Sequence, residues 1–223
     1  MSNIINRPTV KEVPEPTIRR MPWYLAYISL LRKAGVDYVS STSMAKEICV
    51  DASQIAKDLS ALGIKGKTRI GYEVAALEKA LNDFLGFSHS HKAVMVGVGS
   101  LGAALMSDCG LQRYGLDIVA GFDTDPDKVG RQIGSAPVFD MSRLEEMCAA
   151  YEAGIGIIAV PVEVAQEVAD LLVAAGVKAL WNFTPVRIRT ASDIVISNTS
   201  IYAHLAVMYN RLNTISTDES DSI

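Results

Sequence analysis

Cysteine is scarce in this chain, with three in 223 residues, and Cys49, Cys109 and Cys148 form no CxxC pair. That pattern excludes a disulfide framework and a thiolate zinc site, and it fits a reducing compartment. Histidine is equally sparse: His89 and His91 lie in a polar segment without a carboxylate or cysteine partner, and His204 stands in a helical stretch. They read as solvated or packing residues rather than metal ligands or catalysts. No apolar run approaches the roughly 18 residues that span a bilayer, and the opening stretch lacks the basic and apolar segments of a signal peptide. The expectation is a cytoplasmic protein without a membrane anchor. With 49% hydrophobic and 21% charged residues, the chain is too apolar to be disordered as a whole.

The net charge of -4 conceals a division. Residues 1–89 hold 12 Lys and Arg against 9 Asp and Glu, a net of +3, whereas residues 90–223 hold 9 against 16, a net of -7. Only the first part is suited to approach a polyanion. Its opening prolines, Pro8, Pro14, Pro16 and Pro22, disfavour a helix and predict an arm through about residue 15. Apolar spacing then predicts a helix over 19–34, closed by Gly35, a short helix from the Ser40–Ser43 cluster to Cys49, and a third over 53–62. Asp51 and Gln54 resemble a capping box at the start of that third helix. Ile55, Leu59 and Leu62 share its inner face, while Ser53, Lys57, Ser60 and Ala61 project from the other side. The segment Ile64 to Tyr72, with Lys65, Lys67 and Arg69 among glycines, predicts a tight basic hairpin, and a helix over 74–85 follows, closed by Gly86. Three helices and a basic hairpin form the layout of a winged helix-turn-helix, whose third helix enters the major groove.

After residue 90 the pattern changes to short apolar runs alternating with helical stretches. Strands are predicted at 93–96, 117–122, 136–139, 155–160, 177–181 and 193–196, with helices over 162–175 and 200–212. This is an α/β pattern with a parallel sheet. The strongest motif follows the first strand: Gly97-Val98-Gly99-Ser100-Leu101-Gly102, a GxGxxG that opens a helix. Its glycines permit a sharp turn, close approach to a pyrophosphate and tight helix packing, and the helix N-terminus supplies donors to phosphate. Asp123 ends the next strand, where a carboxylate accepts hydrogen bonds from an adenosine ribose and repels a 2′-phosphate, with Asp125 as the nearby alternative. A hydride-transfer enzyme would need an acid or base beside the nicotinamide and room for a second substrate, and neither is apparent in this second part. The reading is therefore not an enzyme.

Taken together, these segments carry a family resemblance. Gln54-Ile55-Ala56-Lys57-Asp58-Leu59-Ser60, Ile70-Gly71-Tyr72, the glycine motif, Phe122 to Pro126 with Lys128 and Gly130, Val160-Pro161, Ala169 to Gly176 and Asn182 to Val186 resemble Rex, the bacterial redox-sensing transcriptional repressors. The resemblance implies a homodimer with winged-helix domains at 1–87, Rossmann NAD(H)-binding domains at 90–215, a C-terminal helix exchanged between subunits and a disordered tail at 216–223. It also implies a palindromic operator that is released when the NADH/NAD⁺ ratio rises. For the cofactor it points to Gly97, Val98, Gly99, Ser100, Leu101, Gly102, Asp123, Thr124, Lys128, Val160, Pro161, Asn182 and Phe183. For DNA, Ser53, Gln54, Lys57 and Ser60 would face the groove while Lys65, Lys67 and Arg69 neutralise phosphates, and Asp58 would orient a basic neighbour.

The chain departs from that family at three aligned positions. An arginine in the first helix, a tyrosine after the glycine motif and an aspartate at the start of the last helix are replaced by Ala26, Asp108 and Ser200. Ala56 likewise stands where many relatives carry a basic residue. The expectation is that both cofactor states bind but discriminate weakly in releasing DNA, with Asp108 near the nicotinamide. Two other readings stay open: a small NAD- or CoA-binding metabolic protein, and a repressor of this fold that answers a different nucleotide.

Overall fold

The structure, a computed structural model, describes residues 13–191 and 193–220, with side chains of the last helix described through residue 213. The chain divides into two compact units between His89 and Ser90, and each has apolar cores of its own.

The first unit runs α1 (Glu15–Lys33), β1 (Tyr38–Val39), α2 (Ser41–Ile48), α3 (Ala52–Ala61), β2 (Tyr72–Glu73) and α4 (Val74–Leu85). Helix α1 begins before the expected position, at Glu15, despite its prolines. Pro16 sits in the first turn, where backbone N–H groups have no helical partner, and Pro22 forfeits one internal hydrogen bond. Burial of Met21, Tyr24, Leu25 and Ile28 around that defect holds the helix together. Residues 1–12 of the expected arm lie outside the described residues. Ser40 caps α2 by accepting from the Ser43 N–H at 3.0 Å, and Asp51 caps α3 through the Ser53 N–H at 2.7 Å. Only this half of the expected capping box forms, because Gln54 turns toward Asp58 instead.

The basic hairpin is smaller than anticipated. Lys67 and Gly71 exchange both backbone hydrogen bonds, at 2.8 and 2.9 Å, and Arg69 stands at the tip with φ +64°. Tyr72 pairs instead with β1, in the antiparallel register Val39↔Tyr72 and Tyr38↔Glu73.

The second unit follows as β3 (His91–Val96), α5 (Ser100–Ser107), α6 (Cys109–Arg113), β4 (Leu116–Asp123), β5 (Gln132–Ile133), β6 (Ala136–Asp140), α7 (Leu144–Tyr151), β7 (Ile155–Ile158), α8 (Ala165–Ala174), β8 (Ala179–Asn182), β9 (Val195–Asn198) and α9 (Ile201–Ser220). The sheet order is β5-β6-β4-β3-β7-β8-β9, parallel except for the edge strand β5, whose two residues had given no sequence signal. Along β3, Val94 and Val96 join one core while Ala93 and Met95 join the core on the other face. Burial on both faces is why that strand reads as an unbroken apolar run. From β3 the chain builds outward through β4 and β6, then returns to β7 on β3's other side and builds through β8 and β9. The doubly wound topology places its switch point between β3 and β7.

Helix α9 continues to Ser220, so the residues from 216 to 220 are helical rather than a disordered tail. Neither glycine nor proline occurs between Ile201 and Ser220 to end it. Residues 221–223 lie outside the described residues. Among the described residues no helix is long and apolar enough to cross a membrane.

Candidate functional site

Open α/β sheets bind ligands beyond the carboxyl ends of the strands at the switch point. There the chain turns at Gly97, directly after β3, and at Ala159 to Pro161, directly after β7. A cavity of about 650 Å³ opens between them, lined by Gly97, Gly99, Asp123, Thr124, Lys128, Val160 and Pro161 among others. Gly97 adopts φ +91°, and a Cβ there would lie 2.4 Å from the Ala159 carbonyl oxygen. A Cβ on Gly102 would meet the Gly97 carbonyl oxygen at 2.0 Å. These two glycines hold turn, helix and neighbouring strand together, whereas the space beside Gly99 is open, leaving its backbone accessible to a phosphate at the start of α5.

Asp123 is the electrostatic centre of this cavity. Its Oδ2 accepts from the Val98 N–H at 2.8 Å and Lys128 Nζ at 3.0 Å, and its Oδ1 accepts from the Asp125 N–H at 3.0 Å. Burial pushes the carboxyl's pKa up, but these hydrogen bonds overcome burial and hold it below the ordinary carboxylate value. Asp125, which also lies 3.4 Å from Lys128, and Glu167 add further carboxylates to the lining. The lining is thus acidic around one lysine.

Not every expected cofactor residue lies here. Val98 takes part through its backbone, Ser100 and Leu101 are exposed on the first turn of α5, and Gly102 acts through packing. Asn182 and Phe183 are absent from the cavity lining. Asn182 is fully buried and ties β8 to β9, donating to the Val186 carbonyl at 2.7 Å and Asn198 Oδ1 at 2.9 Å while accepting from Thr184. Phe183 packs on Trp181 with ring centroids 4.6 Å apart. Sequence reasoning missed Val164, Val168 and Leu171, which line the cavity from α8 and the turn before it. Their i, i+4, i+7 spacing marks one helix face, which was the available signal.

The three departures also have definite places. Ala26 is exposed on α1. Asp108 lies outside the cavity lining and caps α6 by accepting from the Gly110 N–H at 2.9 Å. Ser200 Oγ accepts from the Ala203 N–H at 3.2 Å at the head of α9. Both polar replacements are therefore occupied as helix caps. His204 Nδ1 lies 3.0 Å from the Ser200 carbonyl, and no cluster of three metal-binding side chains occurs among the described residues.

In the first unit, Ser53, Lys57 and Ser60 are exposed on α3, as are Lys65, Lys67 and Arg69 in the hairpin. Lys67 Nζ lies 3.3 Å from the Tyr38 hydroxyl and 5.3 Å from that ring's centroid. Gln54 is half-buried, and its amide donates to Asp58 Oδ1 at 2.8 Å. Asp58, only 1% exposed, does pair with a basic residue: Arg20 of α1 reaches it with Nε at 2.7 Å and Nη2 at 2.8 Å. Tyr24 and Thr17 add hydroxyl donors at 2.8 and 3.0 Å. Burial raises the Asp58 carboxyl's pKa, yet the donors together outweigh it and leave the pKa lowered. Arg20 is raised chiefly by its bond to Asp58, and burial beside that carboxylate pushes Tyr24 up to about 12.

Comparison with known proteins bears on both units. Residues 88–186 match the family described as "CoA binding domain", and residues 12–60 match the family described as "Putative DNA-binding protein N-terminus". The chain is 54% identical over 213 residues to the redox-sensing transcriptional repressor Rex of Bacteroides fragilis, covering 96% of this chain and 97% of that protein. This chain belongs to the Rex family. The Rex of Porphyromonas gingivalis is 52% identical over 217 residues, covering 96% of this chain and all of its relative. Among solved structures, RSP in complex with β-NAD⁺ and operator DNA matches with a TM-score of 0.88 at 32% identity, over 93% of this chain and 96% of that one. RSP in complex with β-NADH matches with a TM-score of 0.84 at 31% identity, over 94% and 98%.

Proposed function

We propose that this Rex-family chain is a transcriptional repressor that binds a palindromic operator as a cytoplasmic homodimer and senses the NADH/NAD⁺ ratio through its second unit. The observation that carries the reading is the near-complete match, across both units, to a family member whose structure holds operator DNA and β-NAD⁺ together. In this reading residues 1–87 read DNA and residues 90–215 hold NAD(H). Lys57, Ser53 and Ser60 enter the groove, and Lys65, Lys67 and Arg69 neutralise phosphates. Gly97 and Gly99 receive the pyrophosphate, and Asp123 takes the adenosine ribose, displacing Lys128 in part. The apolar residues exposed on α9, Ile201, Tyr202, Met208, Tyr209 and Leu212, support a dimer in which this helix is covered by a second copy.

The match to the CoA-binding family makes CoA the rival ligand. Carboxylates of Asp123, Asp125 and Glu167 around one lysine disfavour its additional ribose phosphate. The same charges favour NAD(H) over NADP(H). The test is operator binding by fluorescence anisotropy, with NAD⁺, NADH or CoA added separately. Release by NADH and indifference to CoA are expected, and release by CoA alone overturns the assignment.

A further inference from the structure

The recognition helix α3 contains one buried charge, and that charge bears on how a base is read. Asp58 accepts five hydrogen bonds on its two oxygens: three come from the side chains of Arg20 and Tyr24, one from Thr17, and one from Gln54, four residues earlier on α3. An ionised carboxylate can only accept. It therefore fixes which way the Gln54 amide points, with Nε2 toward Asp58 and Oε1 away from it. Gln54 lies at the margin between the exposed Ser53 and Lys57 and the buried Ile55 and Asp58.

In the major groove only cytosine and adenine offer an exocyclic amino donor at the base edge, while guanine and thymine offer acceptors alone. Resting on the reading of α3 as the operator-reading helix, we propose that Asp58, clamped by Arg20, Tyr24 and Thr17 of α1, is a positioning residue for sequence recognition. It turns the Gln54 amide so that the carbonyl oxygen faces the groove and selects cytosine or adenine at one position of each half-site. The clamp also explains why so many donors converge on a group that itself never meets DNA. Its role is to select the amide orientation, and Arg20 holds the carboxylate ionised for that purpose.

The experiment is selection from an operator library randomised across both half-sites, using the full chain and its Gln54→Ala and Asp58→Asn variants, with urea melts and NADH titration as checks of fold. The wild type should enrich cytosine or adenine at one position. Gln54→Ala should lose that preference by roughly tenfold and keep the others. Asp58→Asn can accept as well as donate, so it should free the amide to flip and admit guanine or thymine there, a change that mere destabilisation would not produce. Should Asp58→Asn fail to fold, a second measurement decides: replacing the selected base by an analogue without its amino group should weaken the wild type roughly tenfold and leave Gln54→Ala unaffected. An unchanged selection profile for Gln54→Ala, or a Gln54-dependent preference for guanine or thymine, overturns the proposal. A wild type that enriches no sequence overturns the operator-binding reading itself, and this inference with it.

Discussion

At the scale of single residues, one buried and one half-buried carboxylate, Asp58 and Asp123, organise the two units, and each gives a measurable consequence. Asp123 holds the glycine turn through the Val98 N–H and restrains Lys128. Asp123→Ser should weaken NADH binding at least tenfold and, by releasing Lys128, raise affinity for NADPH; calorimetric titration of both nucleotides checks this. A parent protein that prefers NADPH contradicts the role of Asp123. Asp58 has a folded-state pKa below its ordinary value. Its stabilising contribution is therefore present above the unfolded carboxylate pKa, near 4, and is lost as pH falls through the lowered folded value. Asp58→Asn should cost about 2 to 3 kcal/mol at pH 7, toward the low end for a broken buried pair because Arg20 keeps partial access to water. Urea melts should show that difference shrinking as the pH drops below about 4.

At the scale of elements, legibility in the sequence followed the length of the hydrophobic pattern. Helix α4 falls at Val74–Leu85 as its spacing predicts, and six of the strands fall within a few residues of their apolar runs. The two-residue strands β1 and β5 went unseen because two residues carry no periodicity. The sequence pointed Asp58 at a neighbouring basic residue, whereas its partner Arg20 lies 38 residues away on α1 and no local pattern names it. Asn182 stood in a recognisable segment, yet burial commits its amide to β9 and the following loop. For the hairpin, replacing Lys65 and Lys67 together by alanine should weaken binding to all DNA sequences and reduce the salt slope by about 2. An unchanged slope would remove these lysines from the phosphate contacts. For the glycine turn, Gly102→Ala forces a Cβ to within 2.0 Å of the Gly97 oxygen, so it should abolish NADH binding while operator binding without cofactor persists. Anisotropy and calorimetry on the same variant separate the two effects.

At the scale of the whole molecule, the charge division and the division into two units coincide: a net of +3 lies before Ser90 and -7 from it onward. In the proposed function DNA falls to the first unit and NAD(H) to the second, and sensing requires coupling between them. A ligand shifts a two-state dimer only by its differential affinity for the two states. With Ala26 in place of a polar side chain, and Asp108 and Ser200 occupied as helix caps, fewer polar contacts remain to create that difference. The direct measurement is operator affinity of the full chain at matched saturating NADH and NAD⁺. NADH should weaken binding relative to NAD⁺ several-fold but by less than about thirtyfold, a coupling under about 2 kcal/mol. Equal affinity in the two cofactor states would contradict redox sensing, and a larger ratio would show that other residues supply the full switch.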